Sequence, residues 1–356
     1  MDSTHHKNND DYLQQYRIIS AKLRKRFLRK PNVAEASEEF GALEHKLADS
    51  ELWSGAGLCC IAIARCQQSL ANAHAEAEAL AQAARYYAKG EHATRDILCP
   101  SFGDSLLTAS SCYRKAIDIH SSTNAQRQQS PSTSTPGKTN ESNSASAMVE
   151  SEIQGCGKNI IPAALSVELA DTLQLCDQCS EALPVLQSAA DMLSDTPVQL
   201  LQVLQQLHDC YILLGDLDGA LQTCIKILDV AWHLQPNSSQ KIYTFNNVPA
   251  SIQDIISSCE VSSLFLLLIL QPLPQRTPDV LKRILIKYSA ETAANDSNAP
   301  WGDAGLWCLL QSLAMAAKAN DWTAAKEVSV PLTSLLHLMP YHLHLLYLLL
   351  LNVNRG

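Results

Sequence analysis

Glycine, phenylalanine and charged residues are all scarce in this chain of 356 residues. It has only 13 Gly and 5 Phe, and charged residues make up 18% of it, whereas 46% is hydrophobic. The glycines are too scattered for a phosphate-binding loop or a dinucleotide-binding turn. Ala, Leu and Gln recur instead, and these residues favour helices over strands and turns. The composition therefore predicts a folded, all-α protein.

The net charge and the N-terminal segment limit the classes of partner and the cellular location that we expect. A net charge of -9 at pH 7 argues against a nucleic-acid binder, because phosphate binding needs surplus Lys and Arg. The segment 1–11 is polar and has no apolar run typical of a secretory signal, so we expect a cytoplasmic protein. Several of the twelve cysteines sit inside apolar helical patterns, as buried reduced thiols do: Cys59, Cys60, Cys66, Cys112, Cys210 and Cys224.

Hydrophobic periodicity divides the chain into four regions. Residues 1–11 are predicted to be a disordered tail, and residues 12–120 a set of helical repeats, within which an Ala-rich helix is expected to end at Gly90. Residues 121–158 are rich in Ser, Thr and Asn, so we expect a disordered insertion. Helical repeats resume over 159–356. Because loop-closure entropy grows only slowly with length, the helices flanking the insertion can still pack together in the same solenoid.

A repeated turn pattern indicates the type of solenoid. Gly215, followed by Ala220, matches the turn and the small packing residue of a TPR helical hairpin, and Ala182 lies at an offset of 38 residues from Ala220. Asn320 and Ala325 repeat the scheme, with Asn replacing the turn glycine because Asn also adopts left-handed conformations. The alternative is that Ala-rich helices resemble one another by composition alone. The pattern predicts a TPR-like α-α solenoid of antiparallel helix pairs.

No motif points to chemistry. Cys176 and Cys179 have the spacing of metal ligands or redox thiols, but no second such pair follows, and a structural pair of thiols is the better interpretation. The histidines His337, His342 and His344 lie among leucines without a nearby carboxylate, which favours packing roles over ligand roles. We therefore expect no enzyme, no bound cofactor and no metal.

A dense basic block near the start is the first candidate for a partner interface. It is threaded by apolar residues at helical spacing and consists of Lys22, Arg24, Lys25, Arg26, Phe27, Arg29 and Lys30. Three interpretations stay open: a solvated helix face, a docking site for an acidic protein partner, and a nuclear-import or nucleic-acid patch. The last leaves a nuclear location open.

Two very apolar stretches are the second candidate. One contains Leu264, Phe265 and Leu268, and the other contains Leu343, Leu346 and Leu350. Fully burying a leucine is worth roughly 1.5–3 kcal/mol, so either internal packing or a partner must cover these helices. A membrane span over 332–353 is the rival, although Pro340 and three histidines interrupt it, and no membrane insertion is expected.

Three segments resemble a known family. They are the run from Tyr16 to Ala36, the run Ala62-Ile-Ala-Arg-Cys66-Gln-Gln, and the run from Cys259 through Pro272. The chain is similar there to the forty-kilodalton huntingtin-associated protein family, also called the factor VIII intron-encoded protein family. The insertion at 121–158, a short loop near Pro236 and a divergent C-terminus depart from the family pattern.

The resemblance implies a scaffold subunit that binds and stabilises the HEAT-repeat protein huntingtin as a heterodimer. It also implies a role at early endosomes and in vesicle trafficking, with an endosomal Rab GTPase as a further partner. The alternative, from a different class, is a general TPR adaptor that captures peptides in vesicle trafficking independently of huntingtin.

Overall fold

The computed structural model describes residues 2–24, 32–99, 101–129, 159–234, 250–273, 275, 277–289, 299–336 and 339–353. These residues form helices joined by turns and short loops and contain no strand, so the all-α solenoid prediction is confirmed. The helices form two compact units, unit 1 (Met1–Met192) and unit 2 (Leu193–Gly356).

Unit 1 is a succession of helices, each packed mainly on the next along the chain. Short connections make such neighbours antiparallel. The helices are α1 (Asp2–Lys22), α2 (Val33–Asp49), α3 (Trp53–Ser69), α4 (Ala73–Asp96), α5 (Asp104–Gln129), α6 (Ile160–Leu175) and α7 (Cys179–Met192). Because α5 packs on α6, the helices that flank 121–158 do lie together.

Small residues dominate the core of unit 1. Ala, Cys and Gly line the contact between α3 and α4, which lets the two helices approach closely. A Cβ atom at Gly57 would lie 2.7 Å from the Tyr87 ring, so no larger residue fits there without displacing the tyrosine. Glu44 is buried in this core and accepts a hydrogen bond of 2.5 Å from the Tyr86 hydroxyl.

Three boundaries in unit 1 differ from the sequence prediction. Helix α4 continues through Gly90, where a Cβ atom would lie 3.3 Å from the Trp53 Cβ; this glycine allows close packing and does not cap the helix. Helix α5 extends over 121–129, because Ala, Gln and Arg in that segment favour helix. Helix α1 begins at Asp2 within the expected tail, and Asp and Ser are common at helix N-termini.

Unit 2 is organised around one helix. Helix α10 (Ala250–Leu270) contacts α8, α9, α11, α12 and α14, so it lies at the centre of the unit. Residues 259–267 are buried on every side of it. The other helices of unit 2 are α8 (Pro197–Leu214), α9 (Leu217–His233), α11 (Asp279–Ser289), α12 (Ala304–Lys318), α13 (Trp322–Leu336) and α14 (Pro340–Val353).

One stretch in the described residues, Ile252–Leu270 of α10, is long and apolar enough to cross a membrane. Two thirds of it is buried by the rest of unit 2, as in the core helix of a soluble protein. The stretch 332–353, which the sequence raised as a rival span, is divided between α13 and α14.

Candidate partner-binding surfaces

The helix pairs share one turn geometry. A residue one or two positions after the first helix has a positive φ: Glu51 (58°), Ala71 (57°), Asp177 (60°), Gly215 (74°) and Asn320 (54°). The N–H of the next residue then donates to the carbonyl five residues earlier, at distances of 2.9 to 3.0 Å. This is the Schellman arrangement that ends a helix with its carbonyls satisfied.

The same register also sets the packing residue of the second helix. Five positions after the left-handed residue comes a buried side chain, which is alanine in all but one case: Ala56, Glu76, Ala182, Ala220 and Ala325. Asp or Asn caps that helix in several pairs; the Asp216 carboxylate, for example, accepts from the Gly219 N–H at 2.9 Å. The turn that the sequence revealed at Gly215 therefore recurs where no glycine marks it.

The structure describes only the start of the basic block. Lys22 is engaged within the chain, because its ammonium group donates to the Glu39 carboxylate and lies 4.0 Å from Glu35. The hydrogen bond to Glu39 raises the pKa of Lys22. Arg24 is exposed. The remaining members lie outside the described residues: Lys25, Arg26, Phe27, Arg29 and Lys30.

Internal packing covers most of the two apolar stretches. Leu264, Phe265 and Leu346 are fully buried inside unit 2, where a partner cannot reach them in this conformation. Leu268, Leu343 and Leu350 are half-buried at the margins of α10 and α14. Of the two ways to cover these helices, the fold uses the internal one, so they do not by themselves require a partner.

A buried ionic cluster holds α10 to α11. One oxygen of the Glu260 carboxylate accepts from the Lys287 ammonium at 2.6 Å and from the Tyr288 hydroxyl at 2.7 Å. Burial and the charge of Glu260 raise the pKa of Tyr288. The Lys287 ammonium also lies 4.9 Å from the centre of the Trp307 ring. Glu260, Lys287 and Tyr288 therefore satisfy one another, as a structural network requires.

The histidines and cysteines of unit 2 are interior groups. His342 is buried, its Nε2 lies 3.0 Å from the Ser258 carbonyl, and burial lowers its pKa, so the ring is a neutral packing residue. His344 is exposed, and His337 lies outside the described residues. Burial by itself lowers the pKa of His208, but Cys224 and Asp209 outweigh this effect and raise it to about 10. Cys224 and Cys259 are buried, so a dissolved substrate cannot reach their thiols.

No described group of His, Cys, Asp and Glu side chains is arranged to hold a metal ion. Cys176 and Cys179 lie on either side of the turn at Asp177, and both are buried free thiols. Burial raises the pKa of Cys176, which lowers its thiolate fraction and its reactivity.

Large apolar side chains point into solvent at the turn between α4 and α5. Ile97, Leu98 and Phe102 are 75%, 91% and 96% exposed, and we call these three residues the apolar tip. Ile97 also lines a groove of 430 Å³ together with Tyr12, Glu51 and Trp53. Sequence reasoning missed this surface, because three apolar residues spread over six positions carry no periodic signal.

A second groove lies on another part of unit 1. It has a volume of 420 Å³, an apolar floor formed by Ile61 and Leu80, and two cationic side chains, Arg65 and Lys115. The Lys115 ammonium is 3.0 Å from the Glu76 carboxylate. Such a groove can hold an apolar side chain next to a carboxylate.

Comparison with known proteins extends these observations. No family profile matches the chain. The chain is 31% identical to the "40-kDa huntingtin-associated protein" of Rattus norvegicus, over 94% of this chain and 91% of that protein. It is 30% identical to the Mus musculus protein of the same name, with the same coverage. A similarity of this extent spans both units.

Proposed function

Because the chain belongs to the family of 40-kDa huntingtin-associated proteins, we propose that it is a non-catalytic subunit that binds huntingtin and stabilises it as a heterodimer. The observation that carries this proposal is a similarity running through 94% of the chain. A relation that covers both units favours a shared use of the whole fold, because a single borrowed module would be similar in one unit only.

The arrangement of side chains supports binding over catalysis. The titratable groups buried in unit 2 are paired inside the core, whereas the apolar tip and the two grooves of unit 1 face solvent. Open apolar surface is suited to contact with another protein, while catalysis requires titratable groups that a substrate can reach.

Co-expression with huntingtin of the same organism tests the proposal. We expect a one-to-one complex in size-exclusion chromatography with mass determination. We also expect it to persist when salt shortens the Debye length from about 8 Å at 0.15 M to about 3 Å at 1 M, because apolar burial dominates a stable interface. A soluble chain that elutes apart from huntingtin would overturn the proposal.

We further propose a cytoplasmic location with association at early endosomes, alongside an endosomal Rab GTPase. This part rests on the family resemblance of the segments 16–36, 62–68 and 259–272. Imaging of the tagged chain with an early-endosome marker, before and after depletion of huntingtin, tests it. Overlap with the marker that disappears on depletion supports an indirect association through huntingtin, and a chain with no overlap in either condition contradicts the proposal.

The second candidate function is a general TPR adaptor that binds peptides. The groove formed by Ile61, Leu80, Arg65 and Lys115 favours it, because an apolar floor with cationic groups fits a peptide bearing leucine and glutamate. Titration of fluorescent Leu/Glu peptides against the chain and its Arg65→Glu variant tests it. The adaptor function would be favoured if the peptides bind saturably, the variant loses this binding, and the chain does not bind huntingtin.

A further inference from the structure

The apolar tip is held in place although its side chains are not packed. The Leu98 N–H donates to the Arg95 carbonyl at 2.8 Å, and the Cys99 N–H donates to the Thr94 carbonyl at 3.1 Å. The buried carboxylate of Glu91 then anchors both ends of the turn. It accepts from the Ser101 hydroxyl at 2.9 Å and pairs with the Arg95 guanidinium at 3.4 Å. The tip is therefore a preorganised projection of unit 1.

Leu98 is the left-handed residue of the Schellman turn that ends α4, like Glu51 after α2 and Ala71 after α3, so backbone hydrogen bonds compensate its conformation. Its φ of 55° lies in the left-handed region, which glycine adopts readily and leucine does not. Its side chain is 91% exposed, so it gains no packing within the fold. Phe102, at 96% exposed, is likewise uncovered. Large apolar side chains that are exposed together typically mark a surface that a partner covers.

The charges around the tip decide what kind of partner fits. Asp96 and Asp104 flank it in sequence, and Glu51 lies in the groove that Ile97 lines; all three are exposed. No Lys or Arg of the described residues forms a salt bridge with any of these carboxylates. The acidic border disfavours an anionic membrane, and it disfavours the same tip on a second copy of this chain, because like charges would face each other.

We propose that the apolar tip inserts into an apolar pocket of huntingtin whose rim carries Lys or Arg, with the acidic border of the tip facing that basic rim. The inference rests on the proposed huntingtin binding and specifies the surface that performs it. Preorganisation lowers the entropy lost on docking, and a large aromatic residue beside a leucine is typical of the few residues that dominate an interface.

Leu98→Gly separates a binding role from a structural one. Glycine removes the exposed side chain and also relieves the left-handed strain, so the variant should be at least as stable as the parent chain while it binds more weakly. Phe102→Ser should weaken binding in the same way. The matched control is Val330→Ser on α13, because Val330 is an apolar side chain that is 70% exposed and is not part of the apolar tip.

The experiment is a competition inside one cell. Parent and variant chains with different tags are co-expressed with limiting huntingtin, and their ratio is measured in the total soluble fraction and on captured huntingtin. We expect a soluble ratio near one for each variant, and a bound ratio lowered about tenfold or more for Leu98→Gly and for Phe102→Ser only. Bound ratios equal to that of Val330→Ser would overturn the tip proposal. Absence of both chains from captured huntingtin would instead overturn the proposed function.

Cys99 gives a second test that needs no substitution. It is an exposed thiol beside Leu98, and Cys308 on α12 is an exposed thiol that serves as an internal reference. Alkylation by iodoacetamide, followed peptide by peptide in mass spectra, should slow at Cys99 on the order of tenfold when the huntingtin complex forms. An unchanged rate at Cys99 in the complex would exclude docking through the tip.

The acidic border is tested by reversing its sign. Asp96→Lys combined with Asp104→Lys should lower the bound ratio at low salt and recover part of it at high salt, because the repulsion from a basic rim is screened. A bound ratio that rises in this variant would show that the rim of the pocket is acidic and would overturn the charge assignment.

Discussion

Unit 1 and unit 2 place their large apolar side chains differently. In unit 2 the leucines and phenylalanine of α10 are enclosed by five other helices, so their apolar surface is buried inside the fold. In unit 1 alanine and cysteine make up most of the buried apolar residues, while three large apolar side chains, Ile97, Leu98 and Phe102, lie in solvent. The difference shows that a run of apolar residues in the sequence is a poor predictor of a binding surface, because a buried helix needs such residues on every side.

The same type of substitution in each unit tests this difference in packing most directly. Phe265→Ala empties a fully buried site in α10, and we expect the free energy of unfolding to fall by about 3–5 kcal/mol. Phe102→Ala removes a side chain that touches almost nothing, and we expect a change within about 0.5 kcal/mol. Urea unfolding followed by circular dichroism measures both. Similar losses would mean that the tip is packed in solution.

The ionic networks of the two units offer a second matched pair. Glu260→Ala leaves the Tyr288 hydroxyl buried without its acceptor and Lys287 without its partner, and we expect a loss of about 2–3 kcal/mol. Glu168→Ala breaks the paired contacts of 2.8 Å with Arg85 in unit 1 and a longer hydrogen bond of 3.3 Å from the Tyr113 hydroxyl, but the Arg85 and Glu168 side chains are more than a third exposed. We expect about 0.5–1 kcal/mol there. Equal losses in the same urea titration would contradict this ranking.

The shared turns allow a third pair whose effects should have opposite signs. Gly215→Ala in unit 2 forces a Cβ into the left-handed region, although space is open around it, and should cost about 1–2 kcal/mol. Ala71→Gly in unit 1 relieves the same strain and should gain about 0.5–1 kcal/mol after the added entropy of the unfolded chain. Thermal unfolding of the two variants measures both shifts. A lower melting temperature for Ala71→Gly would show that the turn geometry is not shared.

These turns also show how far the sequence reaches. Gly215 and Asn320 are of residue types that favour positive φ, so the sequence predicted a turn at both. Glu51 and Ala71 adopt the same conformation although their residue types disfavour it, so their side chains give no sign of the turn. The Gly90 prediction was wrong for a related reason: a glycine marks close approach as readily as it marks a helix end.

The candidate surfaces were harder to predict than the fold. The periodicity of apolar residues depends on residues that are close along the chain. It predicted helices α10 and α14, and it predicted that their apolar sides must be buried. Which helix lies at the centre depends on contacts between distant segments, so the sequence could not tell internal packing from an interface at Leu264 or Leu346. The apolar tip consists of side chains that the described fold leaves exposed, and their exposure can be seen only in the three-dimensional structure.

The smallest predicted effect concerns His342, one of two buried histidines of unit 2, whereas none of the described histidines of unit 1 is buried. Burial lowers the pKa of His342 below its usual 6.5, so the unfolded chain binds its proton more readily than the folded chain. The stability that neutral His342 contributes is present above pH 6.5 and is lost as the pH falls below that value.

His342→Gln keeps a donor for the Ser258 carbonyl without a titrating group, so its melting temperature should fall less than that of the parent chain between pH 7.5 and pH 5.5. His344→Gln, at an exposed position, should leave the fall unchanged. If both variants follow the parent chain, acid does not act on unit 2 through His342.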